Sequence, residues 1–243
     1  MAGLPCRVDC AAVIPCYNES ATIGPLVAAV AVQVARVLVV DDGSTDATAA
    51  VAKAAGAEVL RQPVNQGKGA ALQLGLRRAG ELGCDWALLL DGDGQHASDD
   101  IPRFLEARQI NHTDLLVGNR MARPTGMPAV RRLTNRAMSA VLTTLTGTPL
   151  PDSQCGFRLV RLSVWKSLPI RCAHFEVESE MLLAFLAAGR RVEFIPVECR
   201  YKSEQSKIQP CRDTLRWLRW LWRARSDFAK ARASLKRISS PPT

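Results

Sequence analysis

Ala87-Leu88-Leu89-Leu90-Asp91-Gly92-Asp93-Gly94-Gln95-His96 is the stretch whose reading decides the fold. Its apolar residues show no polar alternation, as expected of a strand covered on both faces. They end abruptly in two carboxylates and an amide at alternate positions. In an extended chain, side chains i, i+2 and i+4 point to one side. If the backbone stays extended past Leu90, Asp91, Asp93 and Gln95 converge on one spot. Oxygen donors spaced by glycines suit a hard divalent cation that also holds phosphates.

Outward from this run, apolar strands alternate with helical segments. Residues 8–14 form an apolar run ended by Pro15, and 20–33 read as a helix. Residues 37–40 are a strand followed by Asp41-Asp42-Gly43-Ser44. A helix over 46–55, a strand over 58–60, a helix over 68–82 and a strand over 85–90 follow. A helix over 99–108 and a strand over 114–117 complete the first half. This order predicts an α/β fold, a Rossmann-like, mostly parallel sheet flanked by helices. The second half is less regular. It predicts helices over 130–145 and 178–188, strands over 156–160 and 192–197, and a basic helix from about Arg212.

The 243 residues, 47% of them apolar, suffice for one large domain or two small ones. No run approaches the ~20 apolar residues that a bilayer span requires, and the N-terminus lacks the order of a signal peptide. The expectation is a cytoplasmic protein that does not cross the membrane. The eight cysteines are scattered without a C-x-x-C pair, which argues against zinc. They are expected to be reduced core residues, with a catalytic disulfide as the alternative. Of the net charge of +9, most lies between Arg212 and Arg237, where nine basic residues accompany two acidic ones. The rest is nearly balanced, which argues against a broad nucleic-acid surface.

Ligands of open α/β sheets bind beyond the carboxyl ends of the strands. Three polar clusters occupy such ends: Pro15-Cys16-Tyr17-Asn18-Glu19-Ser20, Asp41-Asp42-Gly43-Ser44-Thr45-Asp46 and Asp91-Gly92-Asp93-Gly94-Gln95. Asn18, Ser20, Ser44 or Asp46 could instead cap helices, and Gly43 could serve only a turn. The third cluster is harder to explain structurally, because neighbouring carboxylates repel unless a cation compensates them. Gly67-Lys68-Gly69 invites a P-loop reading that fails, since the pattern requires Ser or Thr after the lysine. Lys68 is either a phosphate contact or a solvated lysine at a helix start.

Val13-Ile14-Pro15-Cys16-Tyr17-Asn18-Glu19, Val39-Val40-Asp41-Asp42-Gly43-Ser44-Thr45-Asp46, Asn65-Gln66-Gly67-Lys68-Gly69 and Asp91-Gly92-Asp93-Gly94-Gln95-His96 together resemble the family 2 glycosyltransferases, over roughly residues 9–215. Within that family the chain is similar to the dolichyl- and polyprenyl-phosphate sugar synthases. The shared features are Gln95-His96, Gly118-Asn119-Arg120, Asp152-Ser153-Gln154-Cys155-Gly156-Phe157-Arg158 and Phe175-Glu176-Val177-Glu178-Ser179-Glu180-Met181. The resemblance implies a GT-A fold and inverting transfer from a nucleotide sugar, a GDP- or UDP-sugar. By position, Pro15, Tyr17, Glu19, Val40 and Asp42 would hold the nucleoside. Asp91, Gly92 and Lys68 would meet the rest of the donor, and Asp91, Asp93 and Gln95 would engage Mg2+ or Mn2+ and the diphosphate. Such an ion neutralises charge developing on the leaving group, and Asp93 is thereby a catalytic candidate. The resemblance implies one catalytic unit over 1–211, with a nucleotide-sugar half (1–120) and an acceptor half (121–211). A tail helix over 212–238 and a disordered end at 239–243 would follow.

For a polyprenyl phosphate acceptor the resemblance points to Arg120, Arg131, Arg132 and Lys207. Arginine suits the role because its planar fork grips phosphate through two bonds. Arg131 and Arg132 could equally form a solvated helix face. Ser206-Lys207 fits part of the synthases' Arg-x-x-Gly-x-Ser-Lys, but the glycine is absent and Arg200 is misplaced. Asp152 is the second catalytic candidate. A hydroxyl acceptor must lose a proton, whereas a phosphate monoester, with a second pKa of about 6, is already largely dianionic. Asp152 is therefore expected to position the acceptor or metal rather than to act as a base. Glu176, Glu178 and Glu180 open a helix, where carboxylates also favour the dipole.

Leu215, Leu218, Leu221 and Trp222 share one helical face, and Arg216, Arg219 and Arg223 form another stripe. This is the composition of an interfacial helix, and each basic residue near an anionic surface adds about 1 kcal/mol. The tail therefore either holds the enzyme at the inner face of a membrane or packs Leu215, Leu218 and Trp222 on the catalytic unit. A membrane-protein recruiter is a further alternative. The functional alternatives are a family 2 enzyme with a hydroxyl acceptor and Asp152 as general base, a sugar-1-phosphate nucleotidyltransferase, and a non-enzymatic scaffold.

Overall fold

Seven residues, Cys10–Cys16, form the first strand (β1), and all seven are buried. A strand this apolar can sit only where both faces of the sheet are covered. The computed structural model describes residues 9–110, 113–199, 201 and 210–239. The chain continues through α1 (Ile23–Ala31), β2 (Arg36–Asp41), α2 (Thr48–Ala54), β3 (Glu58–Arg61), α3 (Lys68–Glu81) and β4 (Trp86–Leu89). Then come α4 (Ile101–Ile110), β5 (Leu115–Asn119), α5 (Ala129–Thr146), β6 (Arg158–Arg161), α6 (Leu162–Trp165), α7 (Val177–Ala187), β7 (Val192–Pro196) and α8 (Pro210–Ser239). Short α6 has no counterpart in the sequence expectation.

The strands form one seven-stranded sheet in the order β3-β2-β1-β4-β6-β5-β7. β1 pairs in parallel with β2 and β4, while β6 runs against β4 and β5. The order turns back between β1 and β4, so their carboxyl ends open the crevice where such sheets bind ligands. Because β6 is reversed, the loop that precedes it reaches the same rim. Arg158 at its start lies opposite both Leu89 and Val117.

Contrary to expectation, Pro15 lies within β1. The carbonyl of Val13 accepts from Leu90 N–H, so Pro15, two residues on, presents its backbone to the same side. There β4 has already ended at Leu89, and no ladder bond is missed. α3 packs against β1 and β2 at Gly75, where a Cβ would come within 2.3 Å of Val13 Cγ1. Helices α1 and α2 begin later than expected, because Ser20 and Asp46 join the two loops instead of entering helices. The buried cysteines Cys10, Cys16, Cys84 and Cys155 are thiols in the core, as the reduced reading expected.

The tail helix corrects one of the two readings given for it. Its inward stripe is Trp217, Trp220, Leu221, Ala224 and Phe228, with Trp217 and Phe228 buried. Trp217 Nε1–H donates to Ser179 Oγ at 2.9 Å. Leu215, Leu218 and Trp222, which one reading packs inward, are exposed. The turn of the helix is set by the indole, which has both the largest apolar area to bury and an N–H to satisfy. α8 includes Ser239, assigned to the disordered end, and residues 240–243 lie outside the described residues. Among the described residues, no helix is long and apolar enough to cross a membrane.

The seating of α3 is testable. Gly75→Ala should lower the unfolding free energy in urea by about 1–3 kcal/mol, the usual cost of overpacking. An unchanged midpoint would show that α3 does not sit as close to β1 as described.

Candidate active site

The loops after β1 and β2 are stitched together by the residues that sequence alone also assigned to capping. Asn18, at φ +53°, donates its N–H to Ser44 Oγ and accepts from Thr45 N–H. Glu19 N–H donates to Thr48 Oγ1 and Ser20 N–H to Asp46. Burial opposes the Asp46 charge, but hydrogen bonds from Thr48 and Ser20 bring its pKa down to about 2. Thr22 Oγ1 then reaches the carbonyl of Gly92 at 2.7 Å, tying the first loop to the third. Pro15 and Val40 are register partners beneath this rim, and Tyr17 stands exposed above it.

Asp42 is turned away from solvent. Oδ1 accepts from Gln66 N–H and Gln62 Nε2, and Oδ2 accepts from Gly67 N–H at 2.8 Å. Burial raises its pKa against those bonds. It thus holds the 62–67 loop in place beneath the start of α3.

Past Leu90 the chain does not stay extended, so the alternation argument for Asp91, Asp93 and Gln95 is corrected. Asp93 Oδ1 accepts from Gln95 N–H at 3.0 Å, and Gly94 has φ +66°. An aspartate bonding two residues ahead competes with extension, and glycine completes the turn at no steric cost. The three side chains consequently have different partners. Asp91 forms an ion pair with Lys68, and its Oδ2 lies 3.4 Å from His96 Nε2. Gln95 Oε1 accepts from Arg131 Nη1 at 3.2 Å. Among the described residues, Asp93 has no ion-pair partner.

Lys68 is not solvated. It lies between Asp91 and Glu178 Oε1, the latter at 2.6 Å. Its glycine neighbours permit this. A Cβ on Gly67 would strike His174 Nδ1 at 2.2 Å, and one on Gly69 would strike the Cys172 carbonyl at 2.1 Å. Burial works against the ammonium, yet the two carboxylates raise its pKa well above the usual lysine value. Burial also opposes the Asp91 charge, but Lys68 and His96 hold that carboxyl far below the usual range. For Asp93, burial and then the Asp91 charge push the pKa up. His96, buried and tilted against Phe157, is raised well above normal because Asp91 and Cys199 outweigh its burial.

The reversed strand supplies the opposite wall. A Cβ on Gly156 would meet Asp91 Oδ2 at 2.6 Å. Fully buried Arg158 donates to the carbonyls of Cys155, Ser153 and Glu178, binding this wall to the start of α7. Asp152 is fully buried and pairs through both oxygens with Arg120, at 2.8 Å to Nε and 2.9 Å to Nη2. Arg131 also lies over the Tyr201 ring, 5.6 Å from its centroid. Arg132 is half-buried, and among the described residues no hydrogen bond or ion pair links it to the 91–96 loop. Lys207 and Arg200 lie outside the described residues.

Sequence reasoning missed Glu178 as the second partner of Lys68, and His96 as the support of Asp91. The three glutamates Glu176, Glu178 and Glu180 were assigned alike to the helix dipole, and nothing in the sequence set Glu178 apart. Glu180 instead accepts from the N–H groups of Arg171 and Cys172, and Glu176 meets Arg216.

A seven-stranded sheet with an acidic turn after the strand beside β1 gathers its polar loops on one rim, an arrangement that fits the glycosyltransferase class. The family model for glycosyl transferase family 2 matches residues 11–168, and the chain belongs to that family. An undecaprenyl-phosphate mannosyltransferase from Micrococcus luteus is 30% identical over 200 residues, 76% of this chain and 81% of its own. A UDP-N-acetylglucosamine–dolichyl-phosphate N-acetylglucosaminyltransferase from Methanococcus voltae is 29% identical over 78% of this chain and 84% of its own. The fold matches that of glucosyl-3-phosphoglycerate synthase from Mycobacterium tuberculosis, solved with Mn2+, UDP and phosphoglyceric acid. The TM-score is 0.65 at 23% identity, over 96% of this chain and 80% of that one. The GT-A expectation is met.

Breaking a buried ion pair by removing one partner costs about 3–5 kcal/mol. Lys68→Met should cost that much in denaturant unfolding at neutral pH, and adding Glu178→Gln should restore part of it. Because the Asp91 pKa is depressed, its contribution is present above its ordinary value of 3.8 and fades as pH falls below that. Wild type should therefore lose stability below pH ~4 more steeply than Lys68→Met. Parallel pH profiles would remove the ion pair from the account.

Proposed function

We propose that this enzyme transfers a sugar from a GDP- or UDP-sugar to a polyprenyl phosphate at a membrane surface, with inversion. What carries the reading is the likeness, over about three quarters of the chain, to two relatives whose names state polyprenyl-phosphate acceptors. The geometry supports it in the way charge is divided across the rim. Carboxylates gather at the donor side, and Arg131 faces Gln95 at the start of α5.

The residues present fit a divalent ion in kind. Asp93 is a half-buried carboxylate without a cationic partner among the described residues, and burial, then the neighbouring Asp91 charge, raises its pKa. Asp93 and Asp91 would hold Mg2+ or Mn2+, with Gln95 beside them. When bound, the ion supplies positive charge to the departing diphosphate. Tyr17 offers its ring to the base, while Pro15, Val40 and Glu19 shape the nucleoside pocket. Lys68, fixed by Glu178, keeps Asp91 ionised at the floor of the donor site. Arg131 and Arg132 draw in the acceptor phosphate. One of its oxygens forms the bond to the anomeric carbon as the bond to the diphosphate breaks, and the diphosphate leaves with the electron pair.

Asp152 positions Arg120 in this scheme. Its two oxygens are committed to the guanidinium, and a dianionic phosphate needs no base to remove a proton. Asp152→Asn should lower kcat/KM by at least tenfold, roughly the scale of a lost charge-assisted contact, and raising the pH should not restore it. Restoration at high pH would favour the reading with a hydroxyl acceptor.

The direct experiment incubates enzyme, membranes and a panel of radiolabelled nucleotide sugars, with and without EDTA. Label is expected in extracted lipid only without EDTA. Water-soluble label alone would refute the lipid acceptor. Separately, Asp93→Ala should abolish the divalent-dependent part of nucleoside diphosphate binding by calorimetry, and retained affinity would unseat the metal assignment.

A further inference from the structure

Helix α5 carries apolar residues on its outer side as well as on its inner one. A surface helix normally buries its apolar stripe and exposes its polar one. Here Asn135, Ser139 and Thr146 are buried along with Leu142, while Val130 is 75% and Leu133 71% exposed. Val141 is exposed as well. Val130, Leu133, Ala137 and Val141 follow one another at i, i+3, i+7 and i+11, a single stripe down the outside of the helix.

Two of the three inward polar side chains, Ser139 and Thr146, are bonded within the fold, and Leu142 is fully buried beside them, so the helix is not turned the wrong way round. Ser139 Oγ accepts from Ser153 N–H at 2.9 Å and bonds Ser153 Oγ, and Thr146 Oγ1 donates to the Leu142 carbonyl. The outer stripe thus faces away from the core, which Leu142, Met138 and Leu145 meet from the other side of the helix. Among the described residues, six of the ten exposed large apolar side chains lie on α5 and α8. Apolar surface gathered in this way marks an interaction site.

The charges identify what covers it. α5 has three basic residues and no acidic one, and α8 has nine basic and two acidic. The two helices hold ten positive charges in excess, whereas the whole chain carries +9. The rest of the molecule is therefore slightly acidic, and the basic excess coincides with the exposed apolar stripes. Both helices pack on α7. Apolar rows rimmed by arginine are complementary to an anionic bilayer, where the rows enter the acyl boundary and the cations meet the headgroups.

We infer that the outer face of α5, through Val130, Leu133 and Val141, lies in an anionic lipid surface and forms a second membrane contact beside the tail. This deepens the reading of a lipid-borne acceptor and rests on it for its purpose. The first turn of α5 also carries Arg131, bonded to Gln95 at the edge of the site. A bilayer under α5 would bring the headgroup plane to that edge.

The test uses the full chain and flotation on vesicles of phosphatidylcholine with phosphatidylglycerol, compared with phosphatidylcholine alone. The triple variant Val130→Gln, Leu133→Gln, Val141→Gln keeps charge and helix propensity. It should bind the anionic vesicles at least about tenfold more weakly, given the apolar area withdrawn, with unchanged melting. If its melting falls, Leu133→Gln alone carries the test. Arg136→Gln should weaken binding at low salt and make no difference at high salt. Flotation of the triple variant equal to wild type overturns the inference, as does failure of wild type to float on anionic vesicles. So does a wild-type dimer in gel filtration that the triple variant converts to monomer, because a second copy would then be the occupant. Weakened flotation together with no labelled lipid from any donor would refute the proposed reaction and leave this surface standing.

Discussion

One ammonium group between two carboxylates holds this site together. Lys68 comes from the start of α3, Asp91 from the turn after β4, and Glu178 from the first turn of α7. Charges removed from water to this extent are tolerated only when paired at close range. The pairing therefore fixes three elements far apart in sequence. It also dictates composition elsewhere: Gly67 and Gly69 have no side chain because the 172–174 segment must come close enough to place Glu178. His96 stands beside Asp91 as a second cationic partner, so Asp93 is the carboxylate of this turn without an ion pair among the described residues.

The arginines around the rim divide by burial. Arg158 is completely enclosed and donates to three main-chain carbonyls, so it fastens the wall rather than meeting a ligand. Arg120 is enclosed by Asp152 and is neutralised within the fold. Arg131 remains half-buried, with a neutral amide and a ring for neighbours. Of the three, Arg131 keeps the most uncompensated charge, at the edge of the 91–96 turn.

Where both strand faces are covered, the fold was legible in the sequence. The continuous apolar runs that became β1, β2 and β4 have no other stable placement, and the polar clusters at their ends fell on one rim. What was not legible depended on choices between near-equal local options. Asp93 could extend or fold back on Gln95 N–H, and the local hydrogen bond prevailed. Lys68 looked like a solvated helix start, because its carboxylate partners lie 23 and 110 positions further along the chain. In α8 two adjacent stripes were both apolar enough to face inward, and the indole N–H of Trp217 decided between them. Each of these turned on a partner that periodicity does not register.

The reversed strand has a consequence for how the chain reaches this state. β4 is bordered by β1 on one side and by β6 on the other, and β6 arrives some seventy residues later. Until then Trp86–Leu89 presents an open, wholly apolar edge, the kind that pairs promiscuously. Contacts this distant in sequence slow folding. The first half is thus no self-sufficient nucleotide-binding unit, although its βα repeats look like one. Its central strand is completed only when the chain returns with the loop that walls the site, so sheet closure and assembly of the catalytic rim are a single event.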